Sequence, residues 1–181
     1  HAKYPPEELT LYNDLSYYII NQHKRAMEDK KRHSYAFALV IFQRRLASSV
    51  YALLKSLERR KEKLKMNLEL LESNKTQNSS LDISYDTDEL EDLSEEERWE
   101  IEEKYEYASF SYSKKDIDRE IGIIDSLILE SKRIVESESE LKLKKLKEYI
   151  EKINSEFPDQ KLLIFTEFRE TLEYLEKKIS E

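Results

Sequence analysis

Apolar residues recur along this chain at helical spacing. Leu46, Val50, Leu53, Leu57, Leu64, Leu68 and Leu71 stand 4, 3, 4, 7, 4 and 3 residues apart, which keeps them on one face of an α-helix. This predicts a spine from about Ser34 to Glu72, on the order of 60 Å long at the helical rise. A second stripe, Ile117, Ile121, Ile124, Ile128 and Val135, repeats at 4, 3, 4 and 7 and predicts a helix from Lys114 to about Ser137. Gly122 inside it reads as a close-packing point rather than a break. Two matching stripes joined by an intervening segment predict an antiparallel hairpin with coiled-coil packing.

Around that hairpin the pattern places shorter elements. Pro5-Pro6-Glu7-Glu8 opens a first helix running to about Asp29, with proline and acids in its first turn. Its apolar face is read as Leu9, Tyr12, Leu15, Ile19 and Ile20, with Tyr17 and Tyr18 beside it. Lys30-Lys31-Arg32-His33 is a basic link. Ser73 to Ser80 holds no apolar side chain and reads as a loop. Ser94-Glu95-Glu96-Glu97 is a capping box opening a helix with Trp99, Ile101, Tyr105 and Tyr107. Leu143, Leu146, Ile150, Ile153 and Phe157 mark a further helix, ended by Pro158-Asp159. The texture then changes. Lys161-Leu162-Leu163-Ile164-Phe165-Thr166 reads as a strand buried on both faces, as in a parallel sheet, and Glu167 to Glu181 as a helix. The fold class expected is mainly α, a long-helix antiparallel hairpin or bundle over residues 1–157. Residues 158–181 are expected to be the first strand and helix of a truncated α/β domain, which makes the chain a fragment.

Composition sharpens this picture. The 181 residues are 39% charged and 39% hydrophobic, with one glycine, three prolines and no cysteine. So few breakers favour long helices. The absence of cysteine excludes disulfides, zinc–thiolate sites and thiol catalysis and fits a reducing, cytoplasmic compartment. No apolar run is long enough to span a membrane, and no signal peptide is legible; His1-Ala2-Lys3 reads as the scar of a tag or cut. The net charge of −8 hides an asymmetry. His23 to Lys65 carries 13 Lys/Arg against 4 Asp/Glu, a balance of +9, and Glu69 to Glu103 carries 14 Asp/Glu against 2 Lys/Arg, a balance of −12.

Catalytic motifs are missing from the sequence. There is no GxxxxGK[ST], GxSxG or HExxH, and His1, His23 and His33 do not share a helical turn, so no metal site is expected. The basic arm is the informative constellation. Arg44, Arg45, Arg59, Arg60 and Lys61, with Lys24, Arg25, Lys30, Lys31, Arg32, Lys63 and Lys65, form a candidate phosphate track for duplex DNA. The competing reading is that Arg44 and Arg45 pair with carboxylates of the acidic segment.

Three stretches carry a family resemblance. Pro6-Glu7-Glu8-Leu9-Thr10-Leu11-Tyr12-Asn13 is similar to the segment following the first motor lobe of bacterial and archaeal Swi/Snf-type helicases. Phe37-Ala38-Leu39-Val40-Ile41-Phe42-Gln43-Arg44-Arg45-Leu46-Ala47-Ser48-Ser49 resembles their LQRRLASS helix. Glu140-Leu141-Lys142 onward into Lys161-Leu162-Leu163-Ile164-Phe165-Thr166-Glu167-Phe168-Arg169-Glu170-Thr171-Leu172 resembles the start of their second RecA-like lobe, where helicase motif IV lies. Glu69 to Tyr112 matches no part of the family. The resemblance implies that the parent protein is a DNA-dependent ATPase of superfamily two that uses ATP and Mg. This chain would be the helical region between its lobes, with no cofactor of its own and no catalysis alone. It would contact duplex DNA or couple the lobes. By position in the motif, Thr166 and Arg169 are implied to lie near the nucleic-acid backbone. The alternative is a self-associating coiled-coil scaffold, a homodimer through exposed stripes or the orphan strand, with no nucleic-acid role.

Overall fold

The computed structural model describes residues 4–27, 41–72 and 113–180. The basic link at Lys30 to His33, the loop from Ser73, the acidic segment beyond it and the helix expected from Ser94 lie outside those residues. We number the helices α1 (Pro6–Met27), α2 (41–48), α3 (Val50–Glu72), α4 (Lys114–Glu136), α5 (Leu141–Glu156) and α6 (Arg169–Ser180).

α3 and α4 form the expected antiparallel hairpin. The outer ion pairs between them run in opposite chain directions, Lys114 with Glu72 and Lys132 with Glu58, and Arg60–Glu120 and Lys61–Asp125 lie between. The predicted stripes meet. Val50, Leu53, Leu57 and Leu64 of α3 are buried in one core with Ile117, Ile124 and Ile128 of α4, and Leu46, Leu68, Ile121 and Val135 pack at its margin. α1 lies along α4 with the same antiparallel sense, Tyr18 reaching Glu120 and Glu7 reaching Ser139.

Several expectations are corrected. The inward face of α1 is rotated from the expected one: Leu15 and Ile19 are buried as expected, together with Leu11 and Tyr18, whereas Leu9, Tyr12 and Ile20 are exposed. Both sets are apolar at helical spacing, so periodicity alone does not choose between them. The spine is interrupted at Ser49. There the Ser49 hydroxyl accepts a hydrogen bond from the Ala52 N–H at 3.0 Å, an N-cap that opens α3. Gly122 is no packing point, since a Cβ built there meets nothing within 4 Å.

Residues 161–166 are not a strand, and no strand occurs among the described residues. A strand exists through a ladder with a neighbour, and among the described residues no backbone hydrogen bond joins another segment to this run. The side chains of Leu162 to Phe165 face outward, Leu163 being 78% and Phe165 90% exposed. The helix expected after it is present as α6. α5 also departs from expectation: its stripe buries only Leu143, and Phe157 at its end is half exposed.

Candidate functional site

Two groups of charged residues organise the molecule, one inside the bundle and one along a seam. The interior group begins with Arg60, 1% exposed, opposite Glu120, 0% exposed. The Arg60 guanidinium donates from Nε at 3.0 Å and from Nη2 at 2.7 Å to Glu120 Oε1. Tyr18 Oη donates to the same oxygen at 2.9 Å. Three helices thus share one carboxylate. Burial pushes the Tyr18 hydroxyl well above its usual range, and the Glu120 charge adds to the shift. Burial works against the Arg60 charge, but Glu120 and Tyr18 outweigh it and the guanidinium is held charged. Arg60 was a candidate for phosphate contact; enclosure in the core withdraws it from that role.

The seam joins α2 and α3 to α6. Arg44 pairs with Glu167. Arg45 Nη1 and Arg59 Nη2 each lie 2.8 Å from Glu170 Oε1. Burial pulls the Glu170 carboxyl upward, but Arg45, its own backbone N–H and Arg59 together overcome it and leave the group below the ordinary carboxylate range. Both Arg44 and Arg45 lie over the Phe168 ring, 5.8 and 4.9 Å from its centroid, within the cation–π range. Beside them runs a hydroxyl chain: Thr171 Oγ1 is 2.8 Å from both Ser48 Oγ and Ser49 Oγ, and Thr166 Oγ1 is 3.4 Å from Ser48 Oγ. Tyr51 stacks on Tyr174 with centroids 4.9 Å apart and planes 7° from parallel. A cleft of about 480 Å³ opens here, with Arg44, Ser48, Lys142 and Thr166 on its walls.

The sequence candidates therefore divide. Arg44, Arg45 and Arg59 come together on the carboxylates of α6 and the segment before it. The acidic segment that the charge asymmetry pointed to lies outside the described residues. Lys61 pairs with Asp125 at 2.5 Å. Thr166 joins the hydroxyl chain, and Arg169, 73% exposed, pairs with Glu173 one turn on. Glu120, Glu167, Glu170 and Phe168 were not singled out from the sequence. Glu120 had a legible signal: it stands one turn after Ile117 and one before Ile124, a carboxylate on an apolar stripe facing the arginine on the other stripe.

Helix ends are capped by neighbouring helices. The Leu141 N–H, at the start of α5, donates to Glu8 of α1. Glu140, N-cap of α5, makes no cap bond within its own helix; its carboxyl accepts from the Val50 N–H that opens α3. The Lys142 ammonium donates to the Ala47 carbonyl near the end of α2. Such contacts satisfy terminal backbone groups that a helix cannot satisfy itself.

Among the described residues, no group of three His, Asp or Glu side chains is placed to hold a metal ion, and no helix is long and apolar enough to cross a membrane. No protein-family model, curated protein or solved structure matches the chain.

Proposed function

We propose that this chain is a helical coupling element of an ATP-driven DNA translocase of the Swi/Snf type. In this reading it holds the unit at residues 158–181 at a fixed angle to the α3–α4 hairpin, so that movement of one motor lobe is passed to the other. The observation that carries the reading is the direction of the arginines: Arg44, Arg45 and Arg59 point at Glu167 and Glu170 and clasp α6 to the spine. The exposed run Leu162-Leu163-Ile164-Phe165 supports it from the other side, because four consecutive apolar residues in water are suited to a sheet supplied by another body. ATP and Mg belong to the motor lobes in this reading, and the chain performs no chemistry itself.

Direct duplex contact is the second reading, favoured by the groove between α3 and α4 that Arg59, Lys61, Lys63 and Lys132 line alongside Glu58 and Glu62. Fluorescence anisotropy with a labelled duplex of ~20 base pairs, at ~50 and ~200 mM salt, separates the two. The coupling reading expects no micromolar binding at either salt. Micromolar binding that collapses at the higher salt, and is lost in Lys61→Glu/Lys63→Glu, would make the chain a DNA grip instead. Sedimentation of the same samples checks self-association: a dimer abolished by Leu163→Asp/Phe165→Asp would favour the scaffold reading.

A further inference from the structure

Helix α4 ends in an arrangement that usually needs glycine. The Ser139 N–H bonds back to the Ile134 carbonyl at 3.1 Å and the Glu138 N–H to the Val135 carbonyl at 3.3 Å. That is a Schellman turn with Glu138 in the left-handed position, at φ 50°. A side chain there carries a steric cost that glycine avoids. The carboxylate of Glu138 offsets the strain by bridging two helices, 2.8 Å from Lys147 of α5 and 2.6 Å from Lys178 of α6. Two residues on, Glu140 faces the opposite environment. It is 3% exposed, and its Oε2 is buried with no hydrogen-bond partner. Every element around it contributes a group: Glu8 from α1, the Val50 N–H from α3, Lys142 from α5 and the buried phenol of Tyr174 from α6. The Tyr174 Oη is also buried without a partner.

We infer that the 137–140 turn is a hinge and that Glu140 is its latch, seating α5 against the bundle as a neutral acid and releasing it on ionisation. α5 is suited to such release, because Leu143 is its only buried residue, and elements with few buried contacts open first. Burial is the largest influence on Glu140. The Val50 N–H opposes it, the Glu8 charge adds to it and Lys142 opposes it, and together they raise the group from the ordinary 4.5 to about 7. In the open state the carboxyl is solvated and ordinary. The closed state therefore binds the extra proton between those values. Closure is fully favoured below about pH 4.5, weakens by about tenfold per pH unit up to about 7, and is level above that. Glu138 works with the reverse sign: its two lysines hold it at about 2, so its clamp is intact above the ordinary carboxylate range and is lost as pH falls toward 2. The hinge stands on this geometry whether or not the chain serves a motor.

Amide hydrogen exchange of the whole chain, read by mass spectrometry between about pH 5 and 8.5 and corrected for intrinsic rates, tests it. Protection of residues 141–156 should fall about tenfold per pH unit up to about pH 7 and then level, while residues 50–64 and 117–134 stay flat. Glu140→Gln, and separately Glu140→Leu, should abolish the slope. A wild-type profile without slope, the same slope in both variants, or an equal fall across α3 and α4 would each overturn the inference.

Discussion

Arg60 and Glu120 illustrate why a buried charge is read by what happens when one partner goes. Each ion pays a large desolvation cost, returned only while the other is in place. Glu120→Gln should cost about 3–5 kcal/mol in urea unfolding, because it removes the carboxylate charge that an enclosed guanidinium faces. Replacing the whole group, as Tyr18→Phe/Arg60→Met/Glu120→Leu, should recover most of that loss, since apolar side chains of similar volume fill the same space. A triple variant as weak as the single one would contradict this account of the core. Gly122 is the simplest residue-scale case. It is helical, exposed and open around a built Cβ, so Gly122→Ala should stabilise the protein by up to about 1 kcal/mol, seen as a rise in the urea midpoint at constant slope. Glu138→Gly removes backbone strain and two ion pairs together. Its net effect should be small at neutral pH, and it should remove the Glu138 part of the stability lost on acidification from about 4.5 toward 2, measured by thermal melts across that range.

At the scale of elements, what was legible follows a physical line. The α3 and α4 stripes were readable because one face of each helix is apolar and the other charged, so burial has one solution. The register of the hairpin was latent in two charged residues of opposite sign standing on facing stripes. α1 was readable as a helix but its face only in part, Leu15 and Ile19 but not Leu11, because it is apolar on two sides. The N-cap at Ser49 was hidden within a pattern whose apolar spacing continues unbroken from Leu46 to Leu53. The run at 161–166 had the composition of a central strand, but composition supplies only half of a ladder; the other half must come from a neighbour. Its exposure carries a prediction. Leu163→Asp should shift unfolding by no more than about 0.5 kcal/mol, as surface substitutions do, whereas the same change at buried Leu53 should prevent stable folding.

For the whole molecule, charge asymmetry was the most conspicuous sequence feature and the least direct guide to the site. A count of Lys and Arg along the chain describes a potential, not a partner. Among the described residues Arg60 lies in the core, and Arg44, Arg45 and Arg59 meet Glu167 and Glu170, over a hundred positions away. These long-range pairs tie the end of the described chain to its middle, while α5 bridges them with a single buried residue. From α3 onward the described residues thus form a firm hairpin, a clasped last helix and a lightly held helix between them. The central claim is that the arginines form a clasp. It is tested most directly by hydrogen exchange of residues 169–180 in the Arg45→Glu/Arg59→Glu variant. Protection of α6 should collapse toward that of an unanchored helix while α3 and α4 keep theirs. Protection of α6 equal to wild type would contradict it and return those arginines to the role of a surface that waits for phosphate.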